Sequence, residues 1–201
     1  MRLGMKGKGT ILLLAAGIMG LMEPALAGTV KEPSGYRMDE YRAPVPDTLH
    51  GATVVTTGKA EELWRKKKAV FLDVMPYTPK PANLPAGTIW RDKVRNDIPG
   101  SLWLANVGYG ALSSETEAYF RHTLEKVTGN DKSQPLLFYC MTGCWMSWNA
   151  AKRAVEWGYS SVLWYPSGAD GWEKKGLPLK QNKPDVTTIE NATYNSIRFL
   201  F

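Results

Sequence analysis

The stretch Leu136-Leu137-Phe138-Tyr139-Cys140-Met141-Thr142-Gly143-Cys144-Trp145-Met146-Ser147-Trp148-Asn149-Ala150-Ala151 decides the fold. Its first four residues are a continuous apolar run, as a strand buried on both faces requires. A short loop with one glycine follows, and Ser147 to Arg153 then reads as helix. A strand, a turn and a helix N-terminus in succession place Cys140 where backbone amides curl around a sulfur and the positive end of the helix dipole stabilises a thiolate. Cys140 and Cys144 are the only cysteines of the chain. The chemistry to expect is therefore that of thiols or sulfur, with Cys140 the more reactive of the two.

On the C-terminal side, Trp148, Ala151 and Val155 share one helical face, Gly158 ends the helix, and Val162-Leu163-Trp164-Tyr165 is a further apolar strand. On the N-terminal side, Thr57 is expected to cap a short helix through Trp64, and Ala69-Val70-Phe71-Leu72-Asp73 reads as a buried parallel strand. Residues 77–97 read as a proline- and charge-rich insertion loop, and Ser101-Leu102-Trp103-Leu104 as a short strand. Ser114 and Glu117 have the spacing of a capping box, with Phe120, Leu124 and Val127 recurring on one face of a helix that Gly129 stops. Strand and helix alternating at this spacing predict a single α/β domain, a central parallel sheet with helices on both faces.

Residues 1–27 carry the features of a secretory signal. Arg2, Lys6 and Lys8 precede an apolar core over residues 11–22, and Ala25-Leu26-Ala27 suits cleavage. The core is shorter than the roughly 20 residues that span a bilayer, so the expectation is an exported, periplasmic chain with no membrane segment after cleavage. Losing those three cations and the acid Glu23 lowers the formal charge from +6 to +4. That balance is mild and unclustered, which argues against nucleic acid as a partner. Residues 28–51 form a polar, proline-containing extended segment, residues 52–179 the domain, and residues 180–201 a tail expected to dock through its apolar finish.

The residues of the domain resemble the rhodanese-like family. Phe71-Leu72-Asp73-Val74 matches its aspartate-bearing strand, Ile98-Pro99-Gly100-Ser101 its turn, and Leu136 to Cys140 its nucleophile loop. Gly158-Tyr159, Val162 and Ser167-Gly168 through Trp172 to Gly176-Leu177-Pro178 match its closing pattern. More narrowly, Cys140-x-x-x-Cys144-Trp145 in an exported chain resembles the PQQ-dependent catabolism-associated CXXCW motif proteins, although three residues separate the cysteines here. The resemblance implies a rhodanese-like fold, a sulfurtransferase or thiol-disulfide activity, and a periplasmic accessory role in quinoprotein alcohol oxidation. In such a sulfurtransferase the loop cysteine takes sulfane sulfur, becomes a persulfide and passes the sulfur on. The usual loop arginine is missing, because position 145 is Trp and a longer register ends at Met146; Val74-Met75 follows Asp73 where the family often has Arg. Weak turnover of thiosulfate is expected in consequence, and Trp145→Arg should raise it.

Cys140 is thus the candidate nucleophile, with Cys144 either a resolving thiol that attacks an adduct on Cys140 or half of a permanent bridge. Met141, Thr142, Gly143, Trp145 and Met146 complete the loop. Gly143 turns the backbone, Trp145 is a candidate lining for an apolar approach, and Asp73 reads as a support for the loop. His50 and His122 are scattered, no metal or haem spacing is present, and no cofactor is expected. The sulfur donor and acceptor are not named by the sequence. The competing reading is a non-catalytic module docking with a quinoprotein dehydrogenase system through Trp145, residues 77–97 and the N-terminal segment. A thioredoxin-like oxidoreductase ranks third, disfavoured by the spacing of the cysteines and by the closing glycine-tryptophan pattern.

Overall fold

The computed structural model describes residue 1 and residues 30–81, 83–91 and 93–185. The expected signal and the apolar finish of the tail lie outside the described residues. The elements follow in the order β1 (Thr53–Val54), α1 (Thr57–Arg65), β2 (Val70–Asp73), β3 (Arg95–Asp97), β4 (Leu102–Trp103), α2 (Ser114–Thr128), β5 (Leu136–Tyr139), α3 (Trp145–Glu156), β6 (Val162–Tyr165), α4 (Gly168–Lys174) and β7 (Lys180–Asn182). Five strands make a parallel sheet in the order β1-β6-β5-β2-β4. The most apolar strand, β5, lies at its centre, in register with β2 (Asp73 opposite Tyr139) and with β6 (Tyr139 opposite Tyr165).

Side chains alternate across each strand and build two cores. Leu72, Leu136, Phe138, Val162 and Trp164 meet Phe120 and Leu124 of α2 and Trp148 and Ala151 of α3. Phe71, Leu137, Tyr139 and Tyr165 meet Ala60 of α1 and Ala169 and Trp172 of α4. The fold is the expected α/β sandwich, with two helices on each face. Among the described residues no helix is long and apolar enough to cross a membrane.

Three local expectations are corrected. The cap of α1 is Thr56, not Thr57: its backbone is extended and its hydroxyl accepts the Lys59 amide at 3.3 Å. Likewise Ser113 caps α2 by accepting the Thr116 amide at 3.2 Å, and Glu117 reaches forward to Arg121 instead of closing a box. The third concerns residues 77–97, whose end is not loop. β3 pairs antiparallel with β7, with Arg95 opposite Asn182 and Asp97 opposite Lys180, and Asn182 Nδ2 donates to Asp97 Oδ2 at 2.6 Å. Polar three-residue strands carry no apolar alternation by which to be read.

The segment before β1 lies along α3. Arg37 exchanges two hydrogen bonds with the side chain of Asn149, the Tyr41 carbonyl accepts the Trp145 amide, and the indoles of Trp145 and Trp148 donate to the carbonyls of Pro44 and Thr48.

Candidate functional site

The chain leaving β5 makes a tight turn over residues 140–144 at the C-terminal edge of the sheet. Cys140 continues the alternation of Leu136 and Phe138 and so faces the α3 side. Gly143, at φ +64°, supplies the left-handed step that brings Cys144 to the N-cap of α3. Neighbouring elements hold the turn: the Ala169 amide donates to the Cys140 carbonyl at 3.1 Å, the Thr142 amide to Asp170 Oδ2 at 3.0 Å, and the Thr142 hydroxyl to the Ser167 carbonyl at 2.8 Å. Gly168 permits this contact, since a Cβ there would lie 2.7 Å from the Met141 Cα.

Both thiols are buried, Cys140 completely and Cys144 at 3% exposure, and both are free. Both belong to one buried cluster, and the Cys144 side chain makes no cap hydrogen bond to α3. The neighbouring Cys140 thiol draws the Cys144 thiol down to about 7, helped by the nearby backbone at the start of α3 and opposed by burial. The Cys140 thiol is pushed up by Cys144 and by its own burial. The lowered thiol expected at Cys140 thus lies at Cys144.

Arg95, missed by sequence, supplies the cation at this edge. Its Nε meets Asp73 Oδ2 at 2.6 Å and its Nη2 donates to the Cys140 carbonyl at 3.0 Å. Burial pushes the Asp73 carboxyl up to about 6 against the pull of Arg95, while desolvation of the guanidinium is outweighed by the charge and hydrogen bond of Asp73 together with the nearby Tyr139 and Cys140. With its second oxygen accepting the Met75 amide at 2.9 Å, Asp73 is ionised at neutral pH and supports the loop. One signal could have found Arg95: a carboxylate ending an apolar strand must have a partner. Its position 22 residues away, among other basic residues, hid which one.

Met75 was also missed. Its Sδ lies 3.5 Å from Cys140 Sγ. It shares with Met141, Arg95, Trp103, Asp170 and Leu179 the wall of a cavity of about 370 Å³, and the Cys140 thiol lies behind it. Thr142 is exposed, and Met146 is buried. Trp145 corrects an expectation. It does not line an open approach but is 2% exposed, covered by the N-terminal segment through its bonds to Tyr41 and Pro44. His50 and His122 are exposed, and among the described residues no group of three or more His, Cys, Asp or Glu side chains is placed to hold a metal ion.

With this geometry in place, comparison with protein families matches residues 56–175 to the rhodanese-like domain. The chain belongs to the rhodanese-like family. Solved structures similar to this rhodanese-like chain include a human single-domain sulfurtransferase (22% identity, 62% of this chain and 97% of that one, TM-score 0.41). Others are the polysulfide-sulfur transferase homodimer of Wolinella succinogenes (20%, 65% and 79%, 0.40) and EanB (24%, 71% and 34%, 0.44), of which this chain spans about a third. Comparison with curated proteins gives no match.

Proposed function

We propose that the protein is a rhodanese-like sulfur-handling protein whose two cysteines work as a pair, one accepting sulfane sulfur and the other resolving the adduct. The observation that carries this reading is the pairing itself: two free thiols buried together in the turn between β5 and α3, the Cys144 thiol drawn down and the Cys140 thiol pushed up. Cys144, at the helix N-terminus, is the entering nucleophile. Its thiolate attacks a polysulfide, takes the terminal sulfur as a persulfide and releases the shortened polysulfide. The Cys140 thiol then attacks the inner sulfur, leaving a Cys140–Cys144 disulfide and expelling hydrogen sulfide; an external dithiol restores the pair. This reverses the order of attack that the sequence suggests, because it is the Cys144 thiol that is drawn down and the Cys140 thiol that is pushed up.

The cavity bounded by Met75 and Met141 is the approach for donor and acceptor. Export to the periplasm is supported by the basic, apolar and small-residue succession of residues 1–27, and an accessory role in quinoprotein alcohol oxidation by the Cys140-x-x-x-Cys144-Trp145 pattern alone. Burial of Trp145 weighs against the docking alternative, which needs that side chain at a surface. The test is intact mass of the reduced protein after brief exposure to inorganic polysulfide. Gain of one sulfur, followed by conversion to a disulfide with release of sulfide, is the expected course. Thiols that stay unmodified while the fold is intact would leave the docking reading in place.

A further inference from the structure

We propose that Cys140, Cys144 and Met75 together form a three-sulfur binding site for copper(I). The Met75 Sδ to Cys140 Sγ separation is 3.5 Å, and Cys144, at the N-cap of α3, lies in the same buried cluster. A metal held by three sulfurs at about 2.3 Å spaces them by roughly 4 Å, so the first pair needs to part by only a few tenths of an ångström. The fold fixes the thioether in place. Asp73 Oδ1 accepts the Met75 amide at 2.9 Å, and the Trp103 indole donates to the Met75 carbonyl at 2.6 Å. As a hydrogen-bond acceptor a thioether is weak, and sulfur transfer between the cysteines gives Met75 no part. Thiolate and thioether ligands in one set, by contrast, select copper(I).

Other metals fit less well. Zinc takes four ligands, and the nearest carboxylate, Asp73, has one oxygen on the Met75 amide and the other on Arg95. Magnesium and calcium require oxygen. Binding involves no electron transfer: copper(I) displaces the two thiol protons to solvent, leaving a site of net charge −1. The N-terminus of α3, where Cys144 stands, and the Arg95 guanidinium on the Cys140 carbonyl face that charge, and the buried apolar cluster around the sulfurs shields the ion from water and oxygen.

The inference shares its cysteines with the sulfur-transfer reading but is tested independently of it. Reduced protein is titrated without oxygen against copper(I) held by a chromophoric chelator, and the loaded protein is studied by X-ray absorption. One equivalent withdrawn and three sulfur ligands are expected. Met75→Leu, which keeps the volume, should fall to two sulfurs and lose about tenfold or more in affinity. No copper withdrawn by the wild type, or an unchanged affinity and sulfur count in Met75→Leu, overturns the site. Sulfur uptake in the metal-free protein decides the other reading separately.

Discussion

At the N-cap of α3, where Ser, Thr, Asp or Asn is the usual residue, stands Cys144, whose side chain makes no cap hydrogen bond. Its thiol is drawn down by the neighbouring Cys140 and by the backbone at the helix start, while Cys144 and burial push the Cys140 thiol up. In the metal-free, reduced protein, alkylation of Cys144 should follow an inflection near pH 7, the value to which its thiol is pulled. Cys140 should react at least about tenfold more slowly at neutral pH, because its thiolate is scarce. Peptide mapping after graded-pH labelling reads both; equal rates with ordinary thiol profiles contradict the assignment. The Asp73–Arg95 pair gives a second prediction. Asp73 titrates near 6 when folded, above its ordinary value of about 4, so between those values the folded state binds more protons than the unfolded. Its contribution is therefore most stabilising below about pH 4, declines as pH rises to 6 and stays level above. Arg95→Met, which leaves a buried unpaired carboxylate, should cost about 3 kcal/mol at neutral pH and extend that decline to higher pH. Chemical denaturation across pH 4 to 8 measures it, and a flat difference between the two proteins would show that Asp73 does not depend on Arg95. At this scale the sequence revealed the two cysteines and Asp73, which chemistry marks out. It did not reveal Met75 and Arg95, whose roles exist only once distant segments meet.

Helix α3 carries two jobs on one element, and its polar residues show the second. Asn149 is wholly buried, and its amide accepts from the Arg37 amide and donates to the Arg37 and Gly108 carbonyls, each at 2.9 Å. One turn on, Arg153 donates to the Val107 and Gly110 carbonyls and stacks 3.9 Å above the Tyr36 ring. These side chains fasten the N-terminal segment and the β4–α2 connection to the helix that begins at the site. Asn149→Ala orphans three backbone groups, one of them buried and two half-buried, and should cost about 2–3 kcal/mol, read as a lowered denaturation midpoint. A cost under about 0.5 kcal/mol, the range of an ordinary surface change, would mean the contacts are incidental. Apolar runs and glycine stops made β2, β5, β6 and the end of α2 legible. The β3–β7 pair escaped because its residues are polar and 82 or more positions separate its strands. The caps slipped by one residue because Thr56 and Thr57, and Ser113 and Ser114, are chemically equivalent neighbours that only backbone conformation tells apart.

Across the whole molecule, a segment from before the first strand closes over the turn made after the central one, so the family's usual place for a cation is filled by an indole under cover. Trp145→Arg, which sequence alone would choose to restore thiosulfate turnover, should instead lose about 3 kcal/mol or more of stability by replacing a packed, hydrogen-bonded Trp with a buried charge. Thermal unfolding checks this; a stable variant with raised thiosulfate turnover would reinstate the open-loop picture. In the wild type that turnover should stay weak, because Arg95 is engaged by Asp73 and the Cys140 carbonyl. The sandwich itself was readable from the alternation of buried strands and amphipathic helices. That the segment before the first strand lies on the domain was readable from its extended, polar composition, but where it lies was not, since its contacts are carbonyls meeting indoles about 100 residues away. The central claim, that Cys144 accepts sulfur and Cys140 resolves it, is tested most directly by the lifetime of the polysulfide adduct in Cys140→Ser beside the wild type. The account predicts a persulfide on Cys144 that persists in Cys140→Ser and decays to a disulfide with released sulfide in the wild type. Equal lifetimes, or an adduct formed only when Cys140 is present, would contradict it.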